Sequence, residues 1–309
     1  MKEVWNALME GQKFGYLLYL PQQFGRRSWA GDWDANIRVQ PFDPARKGDP
    51  DSLLGQSAYE QLVEMAIHSI KDTELSKIVT SRKVSVEADP QRLWQWWNGW
   101  LEQFPNALVF CFHHPIWGVW MGATPELLAY SKNGYFETMA LAGSKAISDQ
   151  TDWTSKEREE HQVVLDMIRE AIFKNGVHNI EIEKTEELLY AQVKHLRTKV
   201  TGEYNGIWSD LIQSLHPTPA LSGWPVELSR AWLAQNEGYD RKLYGGVLEL
   251  EFDEEKWAFV LLRCMHKNRD GVFAYVGGGV MADSNSHMEW KETMWKLKSF
   301  IFAQDENLQ

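Results

Sequence analysis

The chain has 309 residues, of which 44% are hydrophobic and 16 are Trp, and it carries a formal net charge of −11. That is ample material for a large core, and the wrong sign of charge for a nucleic-acid-binding surface or a basic membrane face. The two cysteines, Cys111 and Cys264, sit in apolar runs and read as buried thiols, which argues against a disulfide framework or a thiolate metal site. The first twenty residues lack the basic region, apolar stretch and small-residue cleavage site of a signal peptide. No apolar run approaches the ~18 residues of a membrane span, so a cytoplasmic protein is expected.

In chain order, Phe14–Leu20 predicts a strand, and residues 21–48, rich in Arg, Asp, Gly and Pro, predict loop with one short strand. Ser57–Lys71 places Tyr59, Leu62, Val63, Ala66, Ile67 and Ile70 at helical spacing. Alternation from Ile78 to Ser85 predicts a strand with Lys77 at its start. Pro90–Phe104 is a Trp-rich helix whose stripe of Leu93, Trp96, Trp97, Trp100 and Leu101 reads as core. Strands are predicted over Ala107–Phe112, Trp117–Met121 and Leu127–Tyr130, with Glu126 in the GATPE turn between the last two. Asn133-Gly134 is a hairpin turn, after which Phe136–Leu141 runs into Ala142-Gly143-Ser144, a small-residue turn compatible with backbone N–H groups facing an anion.

Asp152–Lys174 predicts a helix that carries Glu157 and Glu160 at i and i+3. His178–Glu183 and Arg197–Tyr204 read as strands, with an apolar run over 188–193. A short helix, Ile207–Leu215, leads into HPTPALSGWP from His216 to Pro225, and Pro225–Ala234 is again helical. Leu243–Phe252, Trp257–Met265 and Val272–Val276 predict a three-strand run. Arg263 falls inside the second of these and must be paired, because an unpaired buried charge is costly. Gly277–Gly279 follow, then the candidate caps Asp283–Ser286, then a helix with Glu289 and Glu292 at i and i+3 and Lys296 one turn beyond. Read locally, this is a glycine turn and a solvated helix with a Glu292–Lys296 pair, its acids favoured by the helix dipole. Small residues followed by two acids and a base in line also suit an anionic ligand held through a cation. There is no internal repeat or linker, so one domain over 1–309 is expected.

Taken together, SKIVTSR with Lys77, GATPE, LAGS, KEREEHQ, HPTPALSG, YDRKLYGG, LLRC, and GGGV followed by EWKET resemble the chorismate-utilising enzymes. The motifs run in order over about four-fifths of the chain. Within that family Lys77, Ser144 after LAG, and HPTPALSG most resemble isochorismate synthases. Only 76 residues precede Lys77, which implies a reduced N-terminal part (1–56) ahead of a catalytic core (57–302), and GGGV replaces the more usual GAG-type turn.

The resemblance implies an α+β fold of two large, mostly antiparallel sheets packed together with helices outside. It implies Mg²⁺-dependent conversion of chorismate to isochorismate, by water addition at C2 and loss of the C4 hydroxyl, for menaquinone or a siderophore. Lys77 would be the base and Glu126 the acid, the latter requiring a raised pKa. Glu160 and Glu292 would hold the metal, with Glu157 and Glu289 supporting it through metal-bound water. Tyr244 and Arg263 would take the enolpyruvyl carboxylate, a fork that answers the puzzle of the buried arginine. Gly278, Gly279 and Lys296 would meet substrate carboxylate, Gly143 and Ser144 the C4 side, and His216 would line the pocket or serve the fold. A monomer with chorismate as its small-molecule partner, and with no glutaminase subunit, nucleic acid or membrane, completes the expectation. Salicylate synthase, an aminating enzyme, and a non-catalytic chorismate-binding protein are the alternatives; lysine in place of the usual glutamine argues against anthranilate synthase.

Overall fold

A computed structural model describes residues 1–42, 53–190 and 193–301. The chain runs α1 (Lys2–Met9), β1 (Gly15–Tyr19), β2 (Ser28–Asp32), β3 (Ile37–Gln40), α2 (Gln56–Asp72), β4 (Lys77–Val86), α3 (Pro90–Gln103), β5 (Leu108–His114) and β6 (Gly118–Thr124). It continues through β7 (Leu127–Lys132), β8 (Tyr135–Ala146), α4 (Ser155–Lys174), β9 (His178–Ile182), β10 (Glu186–Tyr190) and β11 (Val193–Glu203). Then come α5 (Trp208–Leu215), β12 (Gly223–Trp224), α6 (Val226–Asn236), β13 (Val247–Phe252), β14 (Glu255–Val260), β15 (Cys264–Asn268), β16 (Gly271–Val280) and α7 (Ser286–Phe300).

The strands form two sheets of eight. One has the order β12-β4-β16-β15-β6-β5-β1-β2; the other has β10-β11-β8-β7-β14-β13-β3, with β9 also paired to β11. Period-2 alternation sorts their side chains. On β5, Leu108, Phe110 and Phe112 point into a layer between the sheets, where they join Leu127, Leu141, Leu248 and Trp257 of the other sheet. Val109 and Cys111 point outward to Trp97 and Trp100 of α3, so those indoles are core, as their spacing predicts. Helices α4 and α5 cover the far face of the second sheet, while α2 and α6 pack beside β4, β16 and β12 at the end of the first and share the same core. This is the α+β architecture expected, and no described helix is long and apolar enough to cross a membrane.

The structure departs from the sequence reading at four places. The segment 21–48 holds two strands as well as a short 3-10 turn over Gln22–Phe24; both strands are short and lie at or beside sheet edges, where exposed polar residues hide their period (43–48 lie outside the described residues). The first residues, unassigned from sequence, form α1, which buries Trp5, Leu8 and Met9 at helical spacing. The predicted strand Trp257–Met265 is broken: β14 ends at Val260 in one sheet and β15 starts at Cys264 in the other. Arg263 therefore lies in a crossover with φ +47°, not inside a strand. Gly277–Gly279, by contrast, are no turn but the last part of β16, paired to Ser81, Thr80 and Val79 of β4.

Candidate active site

The site grows from the places where the chain changes sheets. Between β6 and β7 it crosses through Pro125 and Glu126; between β14 and β15 it crosses back through Leu261, Leu262 and Arg263. The crossings are tied together by Val260 N–H to Glu126 O (3.0 Å), Ala123 N–H to Arg263 O (3.1 Å) and Thr124 Oγ–H to Val260 O (2.6 Å). Beside them is a cleft of about 760 Å³, its open mouth included. Burial pushes the Glu126 carboxyl up to about 7, against the pull of Lys77, Lys296 and Arg263. Arg263 is buried and has no carboxylate partner among the described residues. Its guanidinium meets Ser299 Oγ (3.3 Å) and His195 Nε2 (3.1 Å) and lies over the Tyr190 ring. Neutral groups thus take its N–H donors, and the counter-charge expected for a buried arginine is not found among the described residues.

The opposite wall is the end of β16. A Cβ on Gly279 would run into Glu160 Oε1 and come within 2.9 Å of Lys77 Cε; one on Gly278 would lie 3.3 Å from Glu289 Oε2 and 3.4 Å from Glu292 Oε1. None of the three glycines has positive φ, so what they provide is room. Lys77 is fully buried behind Gly279 and Glu160 rather than on the cleft surface, its Nζ 2.9 Å from Glu160 Oε1. Glu160 is held below the usual range, because Lys77, with Lys156 and Lys296, outweighs the burial that opposes it. On α7, Glu292 pairs with Lys296 (2.6 Å), whose Nζ also donates to Gly277 O (2.8 Å).

The two helix starts meet here. Lys156 of α4 pairs with Glu289 of α7 at 2.7 Å, and Ser284 Oγ–H donates to the same Oε1. Burial and the neighbouring Glu292 push Glu289 up to about 7. Asn285 caps α7 by accepting from Met288 N–H. Glu157 closes a capping box with Thr154, using Oε2, and lies beside Gly143.

Gly143 has φ +76° and lies where the β8–β11 register slips, so that His195 faces Ser144. Both line the cleft, with Tyr244, Lys296, Gly278 and Gly279. Tyr244 comes from the turn after α6 and stacks on Tyr275 (5.5 Å). That turn is held from behind by His216, whose Nε2 donates to Gly245 O at 2.7 Å. His216 is not among the residues lining the cleft, and burial lowers its pKa to about 4, which keeps it neutral.

A divalent cation is the group the acids invite. Among the described residues no His, Cys, Asp and Glu side chains already form a ready ligand set of three or more, since each acid is drawn to its own lysine. The chemistry nonetheless fits: three carboxylates from two helices surround a strand end without side chains, and Glu289 Oε2 is buried with no hydrogen-bond partner.

Sequence reasoning missed His195, Lys156 and Arg241. Arg241 lines the cleft and ties Glu237, Leu221 O and Val79 O together at 2.6–2.8 Å. Lys156 stands in the KEREEHQ motif and Arg241 in YDRKLYGG, each a cation beside residues already singled out; a single histidine within a strand gives no such signal.

Comparison with known proteins bears on this arrangement. The chain is 26% identical to the isochorismate synthase EntC of Escherichia coli (strain K12), over 92% of this chain and 76% of that one. The crystal structure of DhbC from Bacillus anthracis superposes with a TM-score of 0.72 at 24% identity, covering 97% of this chain and 87% of DhbC. That of MenF, the menaquinone-specific isochorismate synthase of Escherichia coli, gives 0.69 at 22% identity, covering 84% and 64%. The sequence model of the chorismate binding enzymes matches residues 38–303. Every residue lining the cleft falls within that match, and the chain belongs to the chorismate-binding enzyme family.

Proposed function

We propose that the protein is an isochorismate synthase that adds water at C2 of chorismate, shifts the ring double bonds and expels the C4 hydroxyl. The observation that carries this reading is Glu126: a carboxyl pushed up to about 7 by burial, facing a cleft that also holds the uncompensated cation of Arg263. Loss of a hydroxyl near neutral pH needs a proton donor of this kind. Lys77, which must be the free amine for this step, takes the proton of the attacking water past Gly279, and Glu126 gives its proton to the departing oxygen, so that one water enters and one leaves. Arg263 and Tyr244 hold the enolpyruvyl carboxylate, while Lys296 and the backbone of Gly278 and Gly279 hold the ring carboxylate. Gly143 and Ser144 approach the C4 side.

Glu160 and Glu292 would hold Mg²⁺, with Glu289 and Glu157 supporting it. The ion would offset the charge of the ring carboxylate against these acids. Water as the nucleophile requires no glutaminase subunit, and we read the protein as a cytoplasmic monomer that acts alone. Incubating the purified protein with chorismate and Mg²⁺ tests the reading. Isochorismate is the expected product; salicylate with released pyruvate, or no turnover, overturns it.

A further inference from the structure

His195 bridges two cleft residues that are far apart in sequence, and both its ring nitrogens face partners of fixed chemistry. Nδ1 lies 3.2 Å from the carbonyl oxygen of Gly143, which can only accept, so Nδ1 bears the hydrogen. Nε2 lies 3.1 Å from Nη2 of Arg263, which can only donate, so Nε2 presents its lone pair. The same Nδ1 lies 3.0 Å from Ser144 Oγ. A nitrogen that already bears hydrogen cannot take the proton of a serine, which excludes a nucleophilic serine–histidine pair. Ser144 Oγ instead accepts from the ring, and its own O–H is left to donate into the cleft that it lines. Burial, with the cations of Arg263 and Lys296 nearby, keeps the imidazole neutral.

We propose that His195 is a positioning residue: as a neutral Nδ1–H imidazole it relays the orientation of Arg263 to Ser144 and fixes that hydroxyl as a hydrogen-bond donor to a ligand oxygen. The identity of that oxygen, the one at C4, rests on the isochorismate synthase reading; the tautomer does not. Hydrogen bonds in series polarise one another, so the arginine's charge strengthens a donor it does not touch. Arg263 still has N–H groups beyond those given to His195 and Ser299 for a carboxylate of its own.

Nitrogen NMR of protein labelled at histidine tests the tautomer without substrate, the His195 signals being identified by their absence in His195→Gln and, should that variant not fold, by their displacement in Ser144→Ala. The expected result is a proton on Nδ1 and no titration between about pH 5.5 and about pH 8.5. A proton on Nε2, or titration in that range, overturns the proposal. In chorismate turnover, Ser144→Ala and His195→Gln are each expected to lower kcat by roughly 30-fold, and the double variant by little more, because the second residue acts through the first. Losses that multiply overturn the relay. A wild type that leaves chorismate unchanged refutes the functional reading, while the spectrum still decides the tautomer.

Discussion

The two walls of the cleft treat charge in opposite ways. On the wall made by the end of β16 and the starts of α4 and α7, three acids each have their own ammonium: Lys77 for Glu160, Lys156 for Glu289, Lys296 for Glu292. On the wall made by the two crossovers, Glu126 and Arg263 are as deeply buried but have no ion-pair partner among the described residues. Burying a charge without a partner is costly, and the molecule bears that cost only on one side. The paired wall is complete by itself and must rearrange to admit a cation. In the function proposed, the unpaired wall is completed by a ligand that brings a carboxylate and a group to be protonated.

That contrast can be broken, first at the acid. Glu126→Gln keeps the shape but cannot give up a proton, and kcat for chorismate is expected to fall about 10³-fold with KM little changed. A loss under tenfold in steady-state turnover would remove Glu126 from the reaction. The paired wall should be most sensitive at Gly279. There an alanine Cβ strikes the Glu160 carboxylate and lies 2.9 Å from Lys77 Cε, whereas Gly278→Ala meets carboxylates only at 3.3–3.4 Å. Gly279→Ala is expected to lower kcat/KM about 100-fold and Gly278→Ala distinctly less; equal effects would mean that clearance at the strand end does not decide.

The contrast also predicts a pH signature. Glu126 is raised in the native state from 4.5 to about 7, so the native protein retains a proton that the unfolded chain gives up. The stability tied to that proton is fully present below about pH 4.5 and lost as pH rises through about 7. Glu126→Gln should therefore be more stable than wild type at pH 8 and not at pH 4.5, by roughly 2–3 kcal/mol in denaturant unfolding. Wild-type kcat is expected to fall on the alkaline side with the same loss of the acid form. The smallest effect is expected at Arg263→Lys, which keeps the charge and loses the fork to His195 and Ser299: KM should rise about tenfold with kcat changed less. A rise in KM no greater than that of a lysine substituted for the exposed Arg38 would show that the fork holds no carboxylate.

Much of this was legible before any coordinates. Helix spacing set Glu157 with Glu160 and Glu289 with Glu292, alternation gave β4 with Lys77 at its start, and Asn285 was a visible cap. The order of the motifs pointed to the family and, through it, to Glu126, Arg263 and Tyr244. Other features were not legible, for reasons of geometry. The break at Arg263 is invisible in an apolar run, because Leu261, Leu262 and Cys264 are equally suited to a strand and to a buried crossing between sheets. His216, for which pocket and fold were both open, is turned to Gly245 by the chain that follows α5.

By itself, then, the sequence determined the family, through the order of its motifs, and which neighbours along one helix or strand share a face, since the latter depends on periods of 3.6 and 2. Only the tertiary structure decided which charge meets which. The Lys156–Glu289 pair spans 133 positions and the Arg263–His195 contact spans 68. Partners so distant are set by how two sheets pack and where the chain crosses between them, and no local period encodes that.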